Sequence, residues 1–87
     1  MKYEVKETGH RRCQITLIPE DDIERKQLVI SNENERAEKE YTFEVHYQRA
    51  VAFKFGTKAH LNSVDEDNYP AKVYAEYNLE GGSMGNR

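Results

Sequence analysis

The chain has 87 residues, 33% of them charged and 37% hydrophobic, with a formal net charge of −3. A chain this short buries roughly 60 to 65% of the surface its unfolded state exposes, so it is expected to hold one small core without room for a second domain. The acidic balance argues against a nonspecific polyanion binder, which needs a Lys and Arg excess to release counterions, and the lone cysteine, Cys13, allows no intrachain disulfide.

"KYEVKETGHRRCQITLI" alternates Tyr3 and Val5, then Cys13, Ile15 and Leu17, which predicts a hairpin turning near Gly9 with Cys13 in the core rather than acting as a nucleophile. "PEDDIERKQL" opens on Pro19 and three acids and continues to Arg25 and Lys26. That charge order suits a helix dipole and predicts a helix over about 20–29. Leu28, Val29 and Ile30 either close this helix or begin a strand. In residues 31–40, "SNENERAEKE", Ala37 is the only apolar side chain, so a loop or frayed helix end is expected.

"YTFEVHYQRAVAFKFG", residues 41–56, puts Tyr41, Phe43, Val45, Tyr47, Val51, Phe53 and Phe55 on odd positions, with Arg49 breaking the series. A connection at 48–50 would set Val45 against Phe53, Phe43 against Phe55 and Glu44 against Lys54. Such cross-strand pairs contribute about 0.2 to 1 kcal/mol each, so a second hairpin is expected with Arg49 at its turn, outside the core. Residues 57–70 read as a long polar connection anchored by Leu61 and Val64. "AKVYAEYNL" reads as a last strand, with Val73, Ala75, Tyr77 and Leu79 on one side and Lys72, Tyr74, Glu76 and Asn78 on the other. The fold class is then α+β, a β-rich domain over 1–79 with one helix on a sheet of four or five strands. "EGGSMGNR", residues 80–87, reads as a flexible tail.

The element order, with "MKYEV", "ITL", Pro19, Asp21, Ile23, Glu24 and the pair Gly81 and Gly82, resembles the β-grasp fold of the ubiquitin-like proteins, most closely over residues 1–30. The resemblance implies a β-grasp-like sheet and, as one possible role, a modifier freed by removal of "SMGNR". In size and character the chain also resembles small uncharacterised bacteriophage accessory proteins, some of which inhibit host machinery.

Catalytic and metal signals are weak. His10, His46 and His60 are widely spaced, and only "HRRC" approaches zinc-ligand spacing. "DEDN" begins like a calcium loop, but Tyr69 and Pro70 occupy positions that need a ligand and a glycine. Cys13, Ser31, Ser63 and Ser83 lie in no nucleophile elbow, and no helix follows "GGSMG" to bind phosphate. Neither an enzyme nor a cofactor is expected. The longest apolar run, Ala50 to Phe53, suits neither a signal peptide nor a membrane span, so a cytoplasmic chain is expected.

Two macromolecular surfaces remain. Glu20, Asp21, Asp22 and Glu24, with Asp65, Glu66, Asp67 and Tyr74, suit contact with a basic protein partner, including inhibition of a nucleic-acid-binding host protein. His10, Arg11 and Arg12, with His46, Arg49, Lys54, Lys58 and His60 around the second hairpin, suit nucleic-acid or nucleotide binding. The first is the preferred expectation.

Overall fold

The structure, a computed structural model, describes residues 1–80, so the tail expected over 80–87 lies, apart from Glu80, outside the described residues. The elements run β1 (Lys2–Gly9), β2 (Arg12–Ile18), α1 (Asp22–Gln27), α2 (Glu33–Phe55), β3 (Ala59–Asn68) and β4 (Lys72–Leu79). The four strands form one antiparallel sheet in the order β1-β2-β4-β3. The α+β class and the sheet are as expected, with one short helix and one long helix.

The first hairpin and the last strand follow their alternation. His10 and Arg11 make the turn, Arg11 in the left-handed region at φ 56°. Cys13, Ile15 and Leu17 point inward beside Val73, Ala75 and Tyr77, with Ile15 paired to Val73 and Cys13 to Ala75. Asp21 caps α1, its carboxylate accepting the Glu24 N–H at 2.8 Å, and Leu28 closes that helix.

Residues 31–56 depart from expectation. The loop or frayed helix end expected at 31–40 and the hairpin expected at 41–56 are both replaced by α2, which runs unbroken through 23 residues. Asn32 caps it by accepting the Glu35 N–H at 2.9 Å, and Gly56 ends it in the left-handed conformation at φ 72°. Its buried stripe includes Phe43, Tyr47, Ala50 and Val51, with Phe55 packed against the core. Four of these, Phe43, Tyr47, Val51 and Phe55, are spaced by four, so every one also falls on an odd number. A helical face thus imitates strand alternation. Tyr41 and Phe53 complete the imitation but are 75% and 87% exposed.

The expected connection at 57–70 is instead largely β3. A bulge between Leu61 and Ser63 reverses its parity: Ala59 and Leu61 face α2 before it, and Val64 and Glu66 pair with Ala75 and Val73 after it. No period of two survives in the sequence. The element order that carried the resemblance beyond residue 30 is therefore replaced by hairpin, two helices, hairpin.

The core lies between α2 and one sheet face, and each fully buried Ile, Leu, Val or Phe there stabilises the fold by about 1.5 to 3 kcal/mol. The opposite sheet face bears Gln14, Tyr74 and Glu76 and, among the described residues, carries no helix.

Candidate functional site

Spacing by four sets Arg36, Glu40 and Glu44 in a row on α2, next to Tyr47. The reversed parity of β3 turns Val64 and Glu66 toward them, and Tyr69 follows at the strand's end. These seven residues line a groove of about 160 Å³ between α2 and β3.

Its floor is held from several directions. The Arg36 guanidinium lies 4.4 Å from the Tyr69 ring centroid and also pairs with the Glu66 carboxylate. Phe43 meets Tyr69 edge-on at 5.8 Å, and the Tyr47 hydroxyl donates to the Pro70 carbonyl at 2.6 Å. Burial pushes the Tyr69 hydroxyl pKa up; Arg36 opposes that shift, while Glu40 and Glu44 add to it. Tyr69 is therefore a neutral aromatic surface at physiological pH.

Glu40 and Glu44, one turn apart on the rim, make no ion pair among the described residues. Tyr41, three residues before Glu44 on α2 and so its neighbour on the helix surface, is exposed. Two carboxylates next to exposed aromatic surface can receive a cationic side chain, whose head meets the carboxylates while its stem lies on the ring.

The expected acidic residues do not form one surface. Glu24 receives the amino group of Met1 at 2.5 Å and Glu20 does so at 3.2 Å, while Asp21 caps α1 and Asp22 pairs with Arg25 at 2.6 Å. The hydrogen bond from the Met1 amine is the main cause holding the Glu24 carboxyl below its ordinary range. That cluster thus secures α1 and the start of β1. Asp65, Glu66 and Asp67 lie at the opposite sheet edge, on β3. Asp65 is brought beside Tyr74 by register, and Gln14 donates to the Tyr74 hydroxyl at 3.1 Å.

The basic residues are dispersed too, because the hairpin that would have gathered them is a helix. Arg49, Lys58 and His60 line one hollow with Val45 and Ala52. His60 faces the Glu80 carboxylate at 2.9 Å. Lys54 lies near β1, Arg12 pairs with Glu76 at 3.8 Å, and His10 and Arg11 flank Tyr77 and Asn78. His46 is half-buried, its Nδ1 bonded to the Tyr3 hydroxyl at 2.7 Å; burial first, then Arg49, lowers its pKa.

Arg36, Glu40, Tyr41, Glu44 and Tyr69 were not among the contact residues expected from the sequence. The signal for them was available in the cap pattern Asn32-x-x-Glu35 and the i, i+4 row of charges, which only make sense once 33–55 is a helix. Burial raises the Cys13 thiol to about 11, with Glu7 adding to the shift, so it is no ready nucleophile. Among the described residues no group of three His, Cys, Asp or Glu is placed to hold a metal ion, and no helix is long and apolar enough to cross a membrane. Comparison with protein families, with characterised proteins and with solved structures found no match.

Proposed function

We propose that the chain is a small non-catalytic binding module that docks a basic protein surface in the groove between α2 and β3, in the manner of an inhibitor covering a nucleic-acid-binding site. The observation that carries this reading is the rim itself: Glu40 and Glu44 have no ion-pair partner among the described residues, beside a Tyr41 that is 75% exposed. A partner Lys or Arg would gain carboxylate and aromatic contact together, and an exposed tyrosine is a side chain that anchors interfaces. The acidic cluster near α1 is already engaged within the chain, which leaves the groove as the better-placed acidic surface.

A second reading, nucleic-acid binding, retains one favourable observation, the convergence of Arg49, Lys58 and His60 on a single hollow. The modifier reading depends on glycines outside the described residues and gains no support from the fold.

Residue-resolved NMR of the full chain separates the first two. An arginine-rich peptide at low salt is expected to shift the amides of Glu40, Tyr41, Glu44, Glu66 and Tyr69, with the effect fading as salt rises and lost in Glu40→Lys/Glu44→Lys. Peptide shifts centred elsewhere, or unaffected by that double variant, would overturn the groove reading. Oligonucleotides that perturb Arg49, Lys58 and His60 instead would establish the second.

A further inference from the structure

The two edges of the sheet differ. β3 is interrupted by two register shifts and carries Asp65, Glu66 and Asp67, features that discourage another strand from pairing. β1 keeps an unbroken register from Lys2 to Glu7, and among the described residues no side-chain or loop hydrogen bond reaches its backbone. It is the edge open to a further strand.

The charges on that edge have no ion-pair partner among the described residues. Lys2, Glu4 and Lys6 alternate on the face away from α2, and opposite Glu4 and Lys6 on β2 stand the uncharged Thr16 and Gln14. Beside the edge sits Phe53, 87% exposed, at the rim of a hollow shared with Tyr3, Glu4, Val5, Ala50 and Lys54.

A second copy of β1 can supply the further strand. When two β1 strands pair antiparallel about a two-fold axis, opposite residues have a constant, even sum of numbers, because both must lie on the same face. With a sum of eight, Lys2 meets Lys6 and Glu4 meets Glu4, which repels. With a sum of ten, Val5 meets Val5 at the axis, Glu4 meets Lys6 twice, and the ladder runs from residue 3 to residue 7, inside the unbroken register. A sum of six also gives opposite charges but shortens the ladder and draws in Met1, whose amino group is held by Glu24.

We infer that the protein forms a two-fold dimer through its β1 edges, centred on Val5, joining two four-stranded sheets into one of eight strands. Each Glu4 pairs with Lys6 of the other copy, and both Phe53 rings cover the seam on the helix side. The grooves between α2 and β3 lie at the far edges and stay free, so this dimer stands whether or not the groove binds a basic partner.

Sedimentation of the full chain across concentrations tests it by charge exchange. The unaltered chain is expected to show a concentration-dependent dimer. Glu4→Lys alone and Lys6→Glu alone each turn two attractive pairs into repulsive ones and are expected to weaken it about tenfold or more. An equimolar mixture of those two variants restores every opposite-charge pair and is expected to form the heterodimer, as the double variant Glu4→Lys/Lys6→Glu is expected to re-form the homodimer. Positions 4 and 6 are exposed, so circular dichroism should report unchanged folding in each. A monomer at all concentrations, or a dimer indifferent to both single changes, overturns the inference. Binding of a foreign strand by a chain that never self-associates would do so as well.

Discussion

Tyr47 does two jobs with one side chain: its ring is buried against the sheet, and its hydroxyl satisfies the carbonyl of the buried Pro70. Tyr47→Phe leaves that acceptor unpaired away from water and is expected to cost about 1 to 3 kcal/mol, read as a lower urea midpoint with unchanged slope. Arg49 contrasts with it. The expectation that Arg49 lies outside the core holds, though it stands on an exposed helix face rather than at a turn, and Arg49→Ala is expected to change stability by less than about 0.5 kcal/mol. His46 sets a pH dependence. Its folded pKa is depressed by burial, so the unfolded chain binds the extra proton more readily. Stability is therefore expected to fall as pH drops below the unfolded value of about 6.5. Urea midpoints at pH 7.5 and 5.5 should differ less in His46→Gln than in the unaltered chain; an equal difference would assign the pH dependence to other groups.

At the scale of elements, the hairpin of β1 and β2 and the strand β4 were legible because one face of each is buried and the other wet, which writes a period of two into the sequence. α2 was not legible by that test, since its buried residues are spaced by four and three further odd positions, Tyr41, Val45 and Phe53, carry apolar side chains outside the fully buried stripe. The ends of α2 spoke more plainly than its middle. Asn32→Ala removes the acceptor for the Glu35 N–H and is expected to destabilise by about 1 kcal/mol. Gly56→Ala is expected to cost about 1 to 2 kcal/mol through the backbone, because an added Cβ there meets no atom of the described residues within 4 Å. Thermal melts of both variants check the pair. A neutral result at Gly56 would mean that the helix ends elsewhere. The groove was hidden for a related reason: its walls come from a helix read as a hairpin and from a strand whose bulge erased its alternation.

Across the whole molecule, stability should be distributed unevenly, and the distribution follows from what each element buries. β2 and β4 are paired on both sides, covered by α2, and contribute Cys13, Ile15, Leu17, Val73, Ala75 and Tyr77 to the core. α1 buries no residue and is held by its Asp21 cap, the Asp22–Arg25 pair and the contact of Glu24 with the Met1 amine. Opening α1 sacrifices exposed or partly exposed polar contacts, which water largely replaces. Opening β2 dismantles two ladders and the core together. Amide hydrogen exchange is accordingly expected to be roughly hundredfold faster or more in α1 than in β2 and β4, whose slowest amides should exchange only through global unfolding. β3, paired on one side, should fall between, and so should β1 in the monomer. Protection in α1 matching that in β2 would show that the short helix is fastened by contacts beyond its caps and ion pairs, and that the molecule opens as one unit rather than from this corner.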